Sequence, residues 1–211
     1  MAEIKTGIRN LLAHPVVYNS FQYVVGAYAW RARIVRDLVL PNLLPNCKLL
    51  DIGCGTCEVL KMLPLDVEYH GYDYNNSYIT HAQKRFSDRK AKFECRAVGS
   101  GTSEQDDRYE VILAFGLVHH LDDQEVVSLI HDVKGLLTQT GKLFLLDPVY
   151  CEGQSSLSKF VVSTDRGRNV RTTEHYLKLY EKEFRNVETF LDHTPLLIPY
   201  TGIAVTCSIA A

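Results

Sequence analysis

From residue 47 onward, apolar and polar positions change period in a regular order. Short apolar runs alternate with longer stretches in which apolar residues recur every three or four positions. Runs at 49–52, 67–72, 92–95, 109–114 and 142–146 predict five strands. Helices are predicted at 57–62, 77–86 and 123–137. In the last of these, Val126, Val127, Ile130, Val133, Leu136 and Leu137 share one side. Ser77 or Asn76 is the expected cap of the second helix. The polar stretch 99–108 reads as a loop, and Gly141 marks a turn before the fifth strand.

The two ends of the chain differ from this middle. Residues 8–40 are rich in apolar and aromatic side chains, and Trp30, Ile34, Val35 and Leu38 fit one helical face. Pro15 and Gly26 divide the region into two or three short helices, and Pro41 and Pro45 close it. Residues 1–46 are therefore expected to form a helical cap, packed on a sheet or lying over a binding site. Residues 150–171 read as irregular. A helix capped by Thr172 or Thr173 follows, running to Phe184. Strands at 187–191 and 202–209 are joined through a loop from Pro195 to Pro199.

Strands that alternate with helices predict an α/β fold, a doubly wound, mostly parallel sheet with helices on both faces. With the two last strands it has seven, the C-terminal one antiparallel. Residues 47–211 form this domain, and 149–171 is the expected substrate cover. Ligands of such sheets bind beyond the carboxyl ends of the strands. Gly53, Gly55, Asp73, Arg96, Gly116, His119 and Asp147 all fall on that edge.

Composition narrows the function. The 211 residues are nearly half apolar and carry a net charge of −2, so no strong field points to nucleic acid. No apolar run approaches the ~20 residues of a membrane span, and the first residues lack the order of a signal peptide. Six cysteines are scattered, several inside strand-like runs, which predicts a reducing, cytoplasmic setting without disulfides.

The chemistry concentrates in Lys48-Leu49-Leu50-Asp51-Ile52-Gly53-Cys54-Gly55-Thr56-Cys57-Glu58, which reads as a strand, a glycine turn and a helix start. Glycines let a backbone approach a small molecule closely. A dinucleotide fingerprint would need glycine at the sixth position from Gly53, where Glu58 would repel a pyrophosphate. Cys54-Gly55-Thr56-Cys57 is a C-x-x-C, so a redox protein is a minor alternative.

Asp51-x-Gly53-x-Gly55, followed by Asp73 at the end of the second strand, resembles the class I S-adenosylmethionine-dependent methyltransferases. So do Leu117-Val118-His119-His120-Leu121 after the fourth strand and Leu136-Leu137-Thr138-Gln139-Thr140-Gly141-Lys142-Leu143 before the fifth. The resemblance spans roughly 45–150. It implies S-adenosyl-L-methionine as cofactor, held by Asp51, Gly53, Cys54, Gly55, Tyr72, Asp73, Tyr74, Arg96, Ala97, Phe115 and Gly116. Asp51 would meet the ammonium group and Asp73 the ribose diol, with Tyr72 and Tyr74 near the adenine. Two positions depart from the family: Cys57 replaces the usual third glycine, and Arg96 replaces the acid that often meets the adenine amino group. Arg96 cannot accept a hydrogen bond. It is expected to stack on the ring, or the Ala97 backbone to serve instead.

His119 and His120 are the catalytic candidates, since a base near neutral pKa suits methylation of oxygen or nitrogen. Adjacent residues point apart and no third ligand has suitable spacing, so no metal site is expected. Asp147, Arg166, Arg168 and Arg171 are candidates to hold the substrate, and Tyr18, Arg31 and Arg33 to close over cofactor or substrate. The lack of a basic face and the aromatic cap favour a small-molecule acceptor with an oxygen nucleophile. A protein that binds the cofactor without transfer is the alternative.

Overall fold

The computed structural model of the chain describes residues 23–96, 108–165 and 167–209. Eight strands form one sheet: β1 (Lys48–Ile52), β2 (Glu68–Asp73), β3 (Ala91–Cys95), β4 (Tyr109–Phe115), β5 (Leu137–Tyr150), the two-residue β6 (Arg171–Thr172), β7 (Asn186–Asp192) and β8 (Gly202–Ser208). Their order is β3-β2-β1-β4-β5-β8-β7, with β6 beside the end of β5. β1 to β5 pair in parallel. β8 runs antiparallel to both β5 and β7. The expected fold class is therefore the observed one.

Alternation along the strands sorts the core into two layers, because successive side chains face opposite sides. On one face, Leu50, Ile52, Ile112, Leu143 and Leu145 meet Val126, Ile130 and Val133 of α3 (Asp123–Leu136) and Tyr176 and Tyr180 of α5 (Thr173–Tyr180). On the other, Leu49, Val111, Leu113, Phe144 and Leu146 meet Trp30 and Ile34 of α1 (Ala27–Ile34) and Ala82 of α2 (Asn76–Arg85). A sheet covered twice explains why β4 from residue 111 to 115 reads as an unbroken apolar run.

Helix starts follow local chemistry. The Asn75 carboxamide accepts from the Ser77 N–H, so the cap of α2 lies one residue before the expected pair. At α3, Asp122 accepts from Gln124 and Glu125, and the Glu125 carboxylate accepts from the Asp122 N–H. This is a reciprocal capping box.

Three expectations need correction. The segment after β1 is a 3-10 helix, Glu58–Met62, and not an α-helix. Cys57 before it takes a left-handed conformation, and Pro64 follows at once. Among described residues Gly26, with a φ of 85°, separates a helix end at 23–24 from α1, as expected, and α1 then passes into a π turn, Val35–Val39, and a 3-10 turn, Leu40–Asn42. Strand β5 begins at Leu137: Tyr109 pairs with Leu137 and Val111 with Lys142, so the Gly141 region bulges within the strand. The stretch read as irregular holds α4 (Ser156–Ser163), capped by the Ser155 hydroxyl.

Trp30 ties α1 to the sheet. A Cβ on Gly202 would lie 2.1 Å from Trp30 Cη2. Gly202→Ala is expected to destabilise the fold by about 1–3 kcal/mol through overpacking, read as a lowered urea midpoint with unchanged slope.

Candidate active site

The strand order reverses between β1 and β4, and the loops beyond their carboxyl ends define a cleft. It is lined by Tyr23, Tyr28, Arg31, Asp51, the 53–56 turn, Glu58, Val59 and Phe115. Its volume is about 50 Å3.

The turn is built from positive φ angles: Gly53 at 71°, Gly55 at 54° and Cys57 at 56°. A Cβ on Gly55 would meet nothing within 4 Å, so the backbone there is open to a ligand. Cys57 adopts the conformation that a third glycine would take freely, at a cost of about 1–3 kcal/mol. Gly53 and Cys54 both donate to the Tyr72 carbonyl, at 2.9 and 3.1 Å. Asp73 pins the turn from β2. Its Oδ2 accepts from the Gly55 N–H at 3.0 Å and its Oδ1 from the Asn75 N–H at 2.8 Å.

Asp51 is buried, and its Oδ2 accepts from the Tyr69 hydroxyl at 2.6 Å. Burial pushes its carboxyl up to about 6, with the Tyr69 bond opposing. Glu58 is buried beside it but paired with Arg85 and Lys61. Arg96 places its guanidinium 5.1 Å from the Tyr72 ring centroid, so it stacks on a buried tyrosine. Tyr74 is exposed at the rim. Gly116 has a φ of 66° and donates to the Leu146 carbonyl at 2.6 Å.

Cys54 and Cys57 of the C-x-x-C are both free thiols. A hydrogen bond with Cys57, then burial, raises the Cys54 thiol well above its usual value. A nucleophilic thiol needs the opposite shift.

His119 needs the largest revision. Its Nδ1 lies 2.6 Å from Asp147 Oδ1 and its Nε2 3.1 Å from Asp165 Oδ1. Asp147 Oδ1 also accepts from the His119 backbone N–H at 3.1 Å. Asp165 Oδ2 in turn accepts from the Tyr200 hydroxyl at 2.9 Å. Burial pulls the His119 imidazolium down, but the hydrogen bonds of both carboxylates outweigh it and hold the pKa up at about 9. A charged imidazole donating from both nitrogens has no lone pair for a proton. His119 is therefore not a general base. The His120 ring lies against it, with centroids 4.1 Å apart. Asp147 Oδ2 is buried without a hydrogen-bond partner.

Arg171 is also reassigned. Its five donors are all used: Nε and one terminal nitrogen on Asp123, the others on the carbonyls of Val118, Asn169 and Leu121. It braces the histidine turn and is not left to clamp a substrate. Arg33 pairs with buried Asp192 at the end of β7, away from the glycine turn's lining. Arg168 is exposed. Tyr18, Ala97 and Arg166 lie outside the described residues.

Sequence reasoning missed Asp165 and Tyr200. Both lie far from His119 along the chain, in segments read for their arginines and prolines. Buried charge pairing is a property of the fold and leaves no spacing to find.

Residues 50–143 match the family model of a methyltransferase domain. Among solved structures, the chain is similar to an S-adenosylmethionine-dependent methyltransferase from Clostridium acetobutylicum, with 12% identity, 92% of this chain and 99% of that one covered, and a TM-score of 0.69. It is similar to magnesium protoporphyrin IX methyltransferase from Synechocystis with S-adenosylhomocysteine bound, at 16% identity, 89% and 86% coverage and a TM-score of 0.67. It is also similar to mitomycin 7-O-methyltransferase, at 16% identity, 96% and 61% coverage and a TM-score of 0.67. No curated relative matches the sequence. Among the described residues, no helix is long and apolar enough to cross a membrane.

Two outcomes follow from the histidine network. His119 has its pKa raised above the unfolded value of ~6.5, so its contribution is full below pH ~6.5 and is lost as pH rises through about 9. Urea unfolding between pH 7 and 10 is expected to show this decline, and His119→Gln to flatten it. Arg171→Ala is expected to cost about 2–4 kcal/mol by leaving buried carbonyls unpaired, with Arg171→Lys recovering only part for want of the planar fork.

Proposed function

The chain carries a class I, S-adenosylmethionine-dependent methyltransferase domain, and from that premise we propose that it methylates a small molecule at an oxygen nucleophile. The observation that carries the acceptor side of this reading is the buried, unpartnered Oδ2 of Asp147 beside a charged His119.

The residues present fit the cofactor. Its ammonium group suits the Asp51 carboxylate, and its ribose diol suits the Asp73 carboxylate at the end of β2. The open face over Gly55 admits close approach, and Tyr74 offers a surface at the rim for the adenine. When bound, the cofactor supplies an electrophilic methyl group on a sulfonium. The chain's own contribution is to hold the acceptor in line and to receive its proton.

Asp147 takes that second part. Its Oδ1 is fixed by two N–H groups of His119, which leaves Oδ2 to accept the proton of a hydroxyl. Burial raises its carboxyl, against the pull of His119, toward the range useful to a base. His119 thus acts as an orienting cation, with Asp165 and Tyr200 holding it from the other side. One of the similar structures is an O-methyltransferase by name, in keeping with an oxygen acceptor. All six cysteines are free thiols, which supports a cytoplasmic setting.

The test combines calorimetry with transfer of tritiated methyl to hydroxylated small molecules. Asp73→Ala is expected to weaken S-adenosylhomocysteine by about 2–4 kcal/mol, since hydrogen bonds to a charged group are worth ~1.5–3 each. Unchanged affinity would remove the ribose assignment. Asp147→Asn is expected to lower turnover roughly 10²- to 10⁴-fold with cofactor affinity kept. Equal turnover would remove Asp147 as the base.

A further inference from the structure

At the carboxyl end of β5, Asp147 Oδ2 and Gln154 Oε1 are both buried without a hydrogen-bond partner among the described residues. The two side chains are only 2% and 7% exposed. Asp147 Oδ2 serves the proton of the substrate hydroxyl. Gln154 Oε1 takes no part in cofactor binding or proton transfer. The Gln154 carboxamide is fixed in its orientation. Its Nε2 donates to the Val149 carbonyl at 3.3 Å and to Ser158 Oγ at 3.2 Å. Both protons of the nitrogen are then used. Turned the other way, Oε1 would face the Val149 carbonyl, acceptor against acceptor. Ser158 Oγ shares a further bond with Thr201 Oγ1 at 2.8 Å, which holds it in place. Gln154 is thereby left with one acceptor atom and nothing to donate.

The two oxygens belong to one frame. Val149, which anchors Gln154, lies two residues beyond Asp147 on β5, a step of ~7 Å. On the other side, α4 carries Ser158 near its start and leads to Asp165 just past its end. Ser158 holds Gln154, Asp165 holds His119, and His119 holds Asp147. Tyr200 and Thr201, adjacent in the chain, bond to Asp165 and Ser158 in turn. One compact molecule therefore reaches from Asp147 to Gln154.

A ligand that covers both atoms must bring a donor to each, because a buried acceptor left unpaired costs about 1–3 kcal/mol. A molecule with one hydroxyl satisfies Asp147 alone. We propose that Gln154 is a substrate-binding residue that accepts from a second hydroxyl, so that the methyl acceptor is a polyhydroxylated molecule of the sugar or cyclitol class. At Asp147 the hydroxyl oxygen gains the methyl group as the carbon–sulfur bond of the cofactor breaks, and its proton goes to Oδ2. The hydroxyl at Gln154 donates a hydrogen bond and is otherwise unchanged. This rests on the methyltransferase reading above and narrows its oxygen nucleophile to one hydroxyl among several on the same molecule. A site built to pair a second hydroxyl rejects analogues that lack it far more strongly than an apolar pocket rejects a missing methylene.

The experiment is transfer of tritiated methyl by the full chain to two panels: methyl hexosides with myo-inositol, and cyclohexanol with benzyl alcohol. The best polyol is expected to exceed both simple alcohols in kcat/KM by about 100-fold or more. Gln154→Met is expected to lower kcat/KM for that polyol about 10- to 100-fold, mainly through KM, with simple alcohols within twofold and S-adenosylhomocysteine affinity by calorimetry unchanged. Deoxy analogues of the polyol give an arm that needs no variant. Loss of one particular hydroxyl, not the methylated one, should cost about 10-fold or more in the unaltered protein and almost nothing in Gln154→Met. Transfer to no polyol, or to simple alcohols equally well, would overturn the proposal. So would unchanged polyol kinetics in Gln154→Met, which would leave Oε1 to a structural water, and so would an equal loss on both panels. If the unaltered protein does not bind S-adenosylhomocysteine, the methyltransferase reading fails and the Gln154 assignment with it; binding without a polyol preference removes the Gln154 assignment alone.

Discussion

One charged histidine between two carboxylates holds the upper edge of this molecule together. His119 joins the turn after β4 to the end of β5 through Asp147, and to the segment after α4 through Asp165. Tyr200 extends the chain of contacts to the approach of β8. Beside backbone bonds such as that from the Asn169 N–H to the His119 carbonyl at 2.9 Å, charge and side-chain hydrogen bonding join these segments. Burying an ion is costly unless every partner is in place. Here the imidazolium has both donors used, and a Cβ on Gly167 would fall 2.0 Å from its ring. Arg171 supports the same turn from below through three carbonyls and Asp123. The arrangement makes the acceptor side rigid and leaves one carboxylate oxygen, Asp147 Oδ2, without a protein partner.

The cofactor side is organised by a different economy of bonds. Asp73 and the Tyr72 carbonyl hold the glycine turn from the neighbouring strand, so the turn needs no long helix behind it. That matters because the helix after β1 is only a short 3-10 segment. Cys57 tolerates a left-handed backbone because its neighbours overdetermine it: its N–H donates to the Cys54 carbonyl, and its side chain is buried. The small polar cleft that results lies at the reversal of strand order, between an acid of β1 and an arginine of α1.

Much of the fold was legible in the pattern of apolar positions. Every main strand was predicted from a short apolar or alternating stretch, and α2 and α3 appeared within a residue or two of their ends, α3 with its buried face. Where the reading failed, a tertiary term had won over a local one. Gly141 looked like a turn, but β4 draws the whole stretch from Leu137 into the sheet with a bulge. α4 looked irregular among serines, but Ser155 caps it and Val162 anchors it in the core. Of the site, the acids and glycines of the β1–β2 edge were legible because backbone geometry demands them at fixed offsets. Arg171 and His119 were seen but given the wrong tasks.

The sequence by itself determined the parallel sheet, its ligand-binding edge and the residues that line the turn. All three follow from hydrophobic period and from which residues accept a left-handed backbone, and both are local. Only the tertiary structure decided which charges meet. Whether a histidine is a base or a buried cation depends on carboxylates arriving from remote parts of the chain. Whether an arginine binds a ligand or braces a loop depends on how many acceptors the fold brings within its reach. Electrostatic roles are set by distance and burial, and a one-dimensional pattern contains neither.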